Sequence, residues 1–216
     1  MSRRSLPKIE QGLELSTHLL SFDQLSAPGD WNQLFGRVAP VEIEVGSGKG
    51  LFLSAAASED AAGNYLGIEI AQKYARFAAA RLSKRGLSNA RMLNGDAQRV
   101  FREWIADDSL RAVHVYFPDP WWKARHRKRR VMNESFAQQV QRTLQPGGTL
   151  HFWTDVEEYY QSTLELVPAA TRLCGPYPVE EKPADHDLDY RTHFERRMRL
   201  HGQPIYRAEF RKAAAT

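Results

Sequence analysis

The run Val41-Glu42-Ile43-Glu44-Val45-Gly46-Ser47-Gly48-Lys49-Gly50 narrows what this 216-residue chain can fold into more than any other stretch. Apolar and charged residues alternate up to Val45, as in a strand. Three glycines then fall within five residues, and residues 51–57 have a helical composition. A strand, a glycine turn and a helix open an α/β unit in which the backbone can approach a ligand closely. The alternation continues. Residues 65–70, 91–94, 112–117 and 149–153 read as strands. Residues 71–84, 97–105 and 156–166 read as helices, and so does a segment capped by Asn133 that runs to Leu144 and is stopped by Pro146-Gly147-Gly148. Strands alternating with helices imply parallel pairing through right-handed crossovers. The expectation is an α/β, doubly wound, mostly parallel, Rossmann-like sheet with helices on both faces, covering residues 41–216 behind an arm of residues 1–40. Ser26-Ala27-Pro28-Gly29-Asp30 reads as a turn within that arm.

Composition excludes several classes. Hydrophobic residues make up 42% and charged residues 26%, which suits one globular core rather than a disordered or fibrous chain. The only cysteine, Cys174, can form neither an internal disulfide nor a cysteine-rich zinc site, so a reducing cytoplasm is the expected location. Arg3-Arg4 is followed by Pro7-Lys8-Ile9-Glu10 rather than an apolar run, so export is not expected, and no stretch suits a membrane span. The seven histidines lack ligand spacing, and His186 between Asp185 and Asp187 reads as a solvated loop residue, so no metal is expected.

Open α/β sheets bind ligands beyond the C-terminal ends of their strands, and Gly46, Glu69, Asp96, Asp119 and Asp155 all follow expected strand ends. The turn reads Glu44-x-Gly46-x-Gly48-x-Gly50, not the G-x-G-x-x-G of dinucleotide sites. A carboxylate at Glu44 would repel a pyrophosphate and suits a cation. Spacing and charge therefore favour S-adenosylmethionine, which carries an ammonium and a sulfonium, over NAD. Glu69 can accept from ribose hydroxyls, a feature shared with NAD sites. Asp96 can accept from an adenine amino group or can cap the helix that follows it.

The segment from Tyr116 to Lys123 contains Pro118-Asp119-Pro120, in which prolines on both sides hold the carboxylate with little freedom. Six of the eight residues Lys123-Ala124-Arg125-His126-Arg127-Lys128-Arg129-Arg130 are Lys or Arg, a run that suits a phosphate backbone. The net charge of +4 alone says little, and it is this clustering that points to nucleic acid. Trp121 and Trp122 can stack on bases or cover the core edge.

The chain resembles the bacterial tRNA (guanine-N7)-methyltransferase family. The resemblance rests on residues 44–50, Gly67-Ile68-Glu69, Gly95-Asp96-Ala97, residues 118–126, Lys128-Arg129-Arg130, Thr154-Asp155 and Thr192-His193-Phe194-Glu195, and it covers the chain from about residue 40 onward. The Pro-Asp-Pro-Trp segment with its basic tail is highly specific, and the glycine turn is not. The resemblance implies cofactor contacts from Glu44, Glu69, Asp96 and Asp119, with Asp119 also catalytic, and the turn glycines Gly46 and Gly48 are expected at the same site. It implies guanosine contacts from Lys123, Asp155, Thr192 and Glu195, and tRNA nucleotide 46 in the variable loop as substrate. Arg125, Arg127, Lys128, Arg129 and Arg130 are the candidates for the RNA backbone. It further implies a seven-stranded sheet with an antiparallel last hairpin, for which residues 171–178 and 204–211 are candidates. Asp155 and Glu195 could instead pair with arginines such as Arg191, Arg196 or Arg197. A dehydrogenase, a methyltransferase acting on another RNA, a protein or a small molecule, and a non-catalytic RNA-binding module are the rival readings. No protein partner is evident, and a monomer or a homodimer is expected.

Overall fold

A computed structural model describes residues 6–27, 29–181, 183 and 190–214. The turn residue Pro28, the Arg3-Arg4 pair and His186 lie outside the described residues. In chain order the elements are β1 (Leu19–Ser21), α1 (Trp31–Phe35), β2 (Val41–Val45), α2 (Leu51–Glu59), β3 (Asn64–Glu69), α3 (Gln72–Lys84), β4 (Ala90–Asn94) and α4 (Ala97–Glu103). They continue with β5 (Leu110–Tyr116), α5 (Glu134–Thr143), β6 (Leu144–Thr154), α6 (Glu157–Ala170), β7 (Cys174–Pro178), α7 (His193–Leu200) and β8 (Tyr206–Arg211). Among the described residues the strands form one sheet in the order β1-β4-β3-β2-β5-β6-β8-β7. Pairing is parallel from β1 to β6, and β8 runs antiparallel to both β6 and β7.

The sheet has eight strands rather than the expected seven. The additional one, β1, comes from the arm: Leu19, Leu20 and Ser21 pair in parallel with Met92, Leu93 and Asn94. Three residues with no clear alternation are too short to read as a strand, and only the exposed edge of β4 gives them a partner. The Pro146-Gly147-Gly148 stop also resolves differently. It lies inside β6, where the register against β5 shifts between Leu110 and Ala112.

Strand alternation sorts side chains to two faces. Ile43 and Val45 of β2, with Val113 and Val115 of β5 and Phe152 of β6, meet Val100, Phe101, Phe136, Val140, Tyr159 and Val167 of α4, α5 and α6 in the larger core. On the opposite face, Leu53 and Ala57 of α2 and Ala75, Ala78, Ala79 and Leu82 of α3 pack against Tyr65, Ala90 and Met92. The small alanines let α3 lie close to its neighbours. Gly50 exploits this: a Cβ there would stand 2.7 Å from the Ala78 Cβ. This contact gives the third glycine of the turn its physical role, the close packing of α2 on α3.

Candidate active site

The turn between β2 and α2 is held by an acidic residue from the next strand. Glu69, at the end of β3, accepts from the Gly48 N–H at 2.9 Å and from the Ala71 N–H at 2.8 Å. Asn94, at the end of β4, donates to the Glu69 and Ile70 carbonyls at 2.9 and 3.1 Å, which ties three neighbouring strand ends together. Gly46 has φ +77°, and a Cβ there would meet only open space, so the backbone conformation rather than crowding calls for glycine. Asp96 does cap α4, accepting from the Gln98 N–H at 2.9 Å, and it lines the adjoining cavity as well.

That cavity has a volume of about 630 Å³ and opens at the C-terminal ends of β2 to β5. Gly46, Gly48, Glu69, Asp96 and Asp119 line it, together with Tyr74, Phe117, Trp121 and Arg129. Five of the six residues expected at a cofactor therefore share one concave surface. Glu44 does not line the cavity. It is buried beneath the turn at 4% exposure, and its Oε2 has no hydrogen-bond partner. Burial, helped by the nearby Glu69, pushes its carboxyl up to about 8. Burial thus disfavours the ionised form on which the sequence reading of a cation-favouring carboxylate depends.

The loop after β5 is strained where it reaches the cavity. Phe117 and Trp121 have φ of +49° and +46°, left-handed values that favour glycine. Pro118, Asp119 and Pro120 lie between them. The Phe117 N–H donates to the Trp153 carbonyl at 2.8 Å, and its ring lies 4.9 Å from that of Phe194. This ring contact brings α7 to the lip of the cavity. Thr192 caps α7 by accepting from the Glu195 N–H at 2.9 Å. Trp121 neither covers the core nor stands free: it lines the cavity with the Arg129 guanidinium 5.0 Å from its ring, whereas Trp122 is exposed.

The basic run divides. Lys123, Arg125, Arg127, Lys128 and Arg129 are exposed. Arg130 is not. It is buried, donates to the Pro120 carbonyl at 2.8 Å, and forks onto Glu158 at 2.6 and 3.3 Å. Its assignment to the RNA backbone is corrected accordingly, because a guanidinium committed to holding the loop against α6 has no free face. Arg127 also reaches Glu158, at 3.3 Å, but half of it remains in solvent. Glu195 is buried, accepts from the Arg191 N–H at 2.7 Å, and pairs with Arg207 at 3.3 Å and Arg199 at 3.7 Å. Glu195 thus pairs with arginines of β8 and α7, and Arg191 contributes its main-chain N–H. Asp155 is half-buried at the end of β6. Neither Asp155, Lys123, Thr192 nor Glu195 lines the cavity itself.

Sequence reading overlooked His114 and Tyr116, which are buried on the sheet face that also carries Glu42. The signal was present. In β5 the apolar positions Ala112, Val113 and Val115 leave His114 and Tyr116 two residues apart, which on a strand means one shared face.

Solved structures of similar fold share little sequence with this chain. The aminoglycoside resistance methyltransferase NpmB1 aligns with a TM-score of 0.53 at 17% identity over 83% of this chain and 90% of its own. A SAM-dependent methyltransferase from Aquifex aeolicus aligns at 0.55 and 13% identity, over 83% and 86% of the two chains. The [4+2]-cyclase SpnF aligns at 0.57 and 17% identity, over 82% and 76%, so the fold by itself does not specify a reaction. The model of a family described as "Putative methyltransferase" matches residues 38–208. With the strand-end cavity, this defines the class: a Rossmann-like methyltransferase.

Curated relatives narrow the class. A tRNA (guanine-N(7)-)-methyltransferase from Rhodopirellula baltica is 49% identical over 98% of this chain and 80% of its own length. Those from Pseudomonas fluorescens and Geobacter metallireducens are 37% and 31% identical over 95% of this chain, and over 85% and 98% of theirs. The chain belongs to the tRNA (guanine-N7)-methyltransferase family, an enzyme family of tRNA modification.

Proposed function

We propose that this chain transfers a methyl group from S-adenosylmethionine to N7 of the guanine at nucleotide 46 of tRNA, in the variable loop. The observation that carries this reading is the junction of two surfaces. An acid-lined cavity at the strand ends passes directly into an exposed cationic loop through Asp119, Trp121 and Arg129.

The residues present fit the methyl donor. Glu69 has lone pairs left for ribose hydroxyls after its two backbone contacts. Asp96 keeps its second oxygen for an amino group, since only Oδ1 serves the helix cap. Gly46 leaves space for close backbone approach. The partnerless Oε2 of Glu44 is a buried acceptor that a cation beside the turn would favour in its ionised form. When bound, S-adenosylmethionine supplies an electrophilic methyl group on a cationic sulfur.

Guanine N7 carries a lone pair and no proton, so no general base is required. The protein's tasks are to align N7 with the methyl group and to stabilise positive charge as it spreads onto the purine. Asp119, confined between two prolines at the cavity wall, performs the second task. Because N7 must remain free, the base is read from its Watson–Crick edge, whose N1–H and N2 amino donors call for acceptors. Asp155 and Thr192, both half-buried, supply them, Glu195 anchors the start of α7 that carries Thr192 through Arg191, Arg199 and Arg207, and Lys123, exposed at the start of the basic loop, meets the nucleoside from that side. Arg125, Arg127, Lys128 and Arg129 take the RNA backbone.

The test is to incubate purified protein with tRNA and methyl-labelled S-adenosylmethionine and then map the modified nucleotide. Label at N7 of G46 is the expected result. Label on another nucleotide, or none on tRNA, would overturn the reading.

A further inference from the structure

On the sheet face that carries Glu42, a largely buried polar file that the chemistry above does not use runs to Arg191, just before α7. Glu42 of β2 contacts His114 Nε2 through Oε2 at 2.8 Å. His114 Nδ1 lies 2.9 Å from the Tyr116 hydroxyl. That hydroxyl accepts from Arg191 at 3.3 Å. His114 and Tyr116 are only 3% and 6% exposed. Buried polar chains of this kind persist only where each member is satisfied.

The two ends fix the direction of every bond. A carboxylate accepts, so the His114 proton sits on Nε2 and is donated to Glu42. Nδ1 then accepts from the Tyr116 O–H. The hydroxyl's lone pairs are left for Arg191, which can only donate. Burial holds His114 below its ordinary value, in keeping with the neutral tautomer this requires. Glu42 is fastened at its other oxygen by Arg111 Nε at 2.7 Å, and Arg111 also grips Asp60 at 2.7 Å. At the far end the Arg191 guanidinium lies over Trp153 at 5.5 Å and Phe52 at 5.9 Å. The Arg191 main-chain N–H meanwhile donates to Glu195. Arg191 is therefore bound to the sheet by its side chain and to α7 by its backbone.

We infer that Tyr116 and His114 are positioning residues: the file Glu42–His114–Tyr116–Arg191 sets the place of Thr192 and Glu195 relative to the cavity, and so governs capture of the target nucleoside. This rests on the proposed role of Thr192, on the α7 start that Glu195 anchors, in holding guanosine.

Tyr116→Phe tests it, because the ring that lines the cavity stays and only the hydroxyl leaves. Losing one hydrogen bond to a charged partner should raise KM for tRNA about tenfold, with kcat and the calorimetric affinity for S-adenosylmethionine within about twofold of wild type. Amide exchange in α7 should accelerate, while exchange in β2 and β5 stays unchanged. Arg191→Lys should raise KM similarly, and the double variant should add nothing, since both changes break the same file. Additive losses in the double variant would overturn the inference. So would wild-type KM and wild-type α7 exchange in Tyr116→Phe, or a fall in kcat at unchanged KM. If Tyr116→Phe does not fold, KM and α7 exchange in Arg191→Lys decide. If the wild-type protein leaves tRNA unmethylated, the substrate reading fails, and the exchange measurement still decides whether the file holds α7.

Discussion

Two carboxyls at the strand ends occupy different surroundings, one lining the cavity and one buried beneath the turn. Asp119 sits at the cavity wall between prolines, and the proposed mechanism has it stabilise charge on the purine. Asp119→Asn should fold with an unchanged melting temperature and lose about 100- to 1000-fold in kcat, the usual range for removing one preorganised electrostatic partner. Single-turnover methylation checks this. Glu44 behaves differently. Its folded-state value near 8 lies above the ordinary 4.5, so the native state binds the extra proton. The pH-dependent part of its burial cost is therefore absent below about pH 4.5, and stability falls as the pH rises from there to about 8. Glu44→Gln should remove that fall, seen as melting temperatures that exceed wild type increasingly between pH 6 and 8 in ligand-free protein. At this scale the sequence disclosed residue types and strand-end placement for Gly46, Glu69, Asp96 and Asp119. It could not disclose that one Glu44 oxygen, Oε2, lacks a partner, because that depends on how α2 closes over β2.

At the scale of elements, alternation and glycine punctuation were enough to read β2 to β6 and α2 to α6, since each buries one well-defined face. Gly50 tests how tightly these units are joined. Its φ is +66°, and an added Cβ would stand only 2.7 Å from that of Ala78, so Gly50→Ala must both strain the turn and push α2 off α3. A loss of about 1–3 kcal/mol in denaturant unfolding is expected. Charge runs were less legible than hydrophobic periodicity. Residues 125–130 look alike as sequence, but the short 3₁₀ segment Ala124–Arg129 turns most of them outward and delivers Arg130 to Glu158. Which cation in a run becomes structural depends on a distant carboxylate, here on α6, and no local pattern reveals it.

Across the whole molecule, the cationic loop and the acidic cavity predict how tRNA binding responds to salt. Affinity should fall steeply with ionic strength, and replacing Arg125, Arg127 and Lys128 together by glutamine should reduce the log–log slope by about 2–3. Arg130→Gln should instead lower the melting temperature, because it leaves the Pro120 carbonyl without its donor and Glu158 with only the half-exposed Arg127. Binding titrations at several salt concentrations, with parallel thermal melts, separate the two effects. The arm was the least legible region at this scale, since β1 has no pattern of its own and exists only against β4.

That short strand has a consequence for how the protein behaves in a crowded solution. Without it, the five residues of β4 would offer an open ladder of amides to any passing chain. β1 closes that ladder and, being three residues long, presents almost nothing in its place. On the opposite margin β7 carries Pro176 and Pro178, which cannot donate to an incoming strand. A sheet guarded at both borders can keep its catalytic rim open to a large polyanion without inviting copies of itself to stack edge to edge.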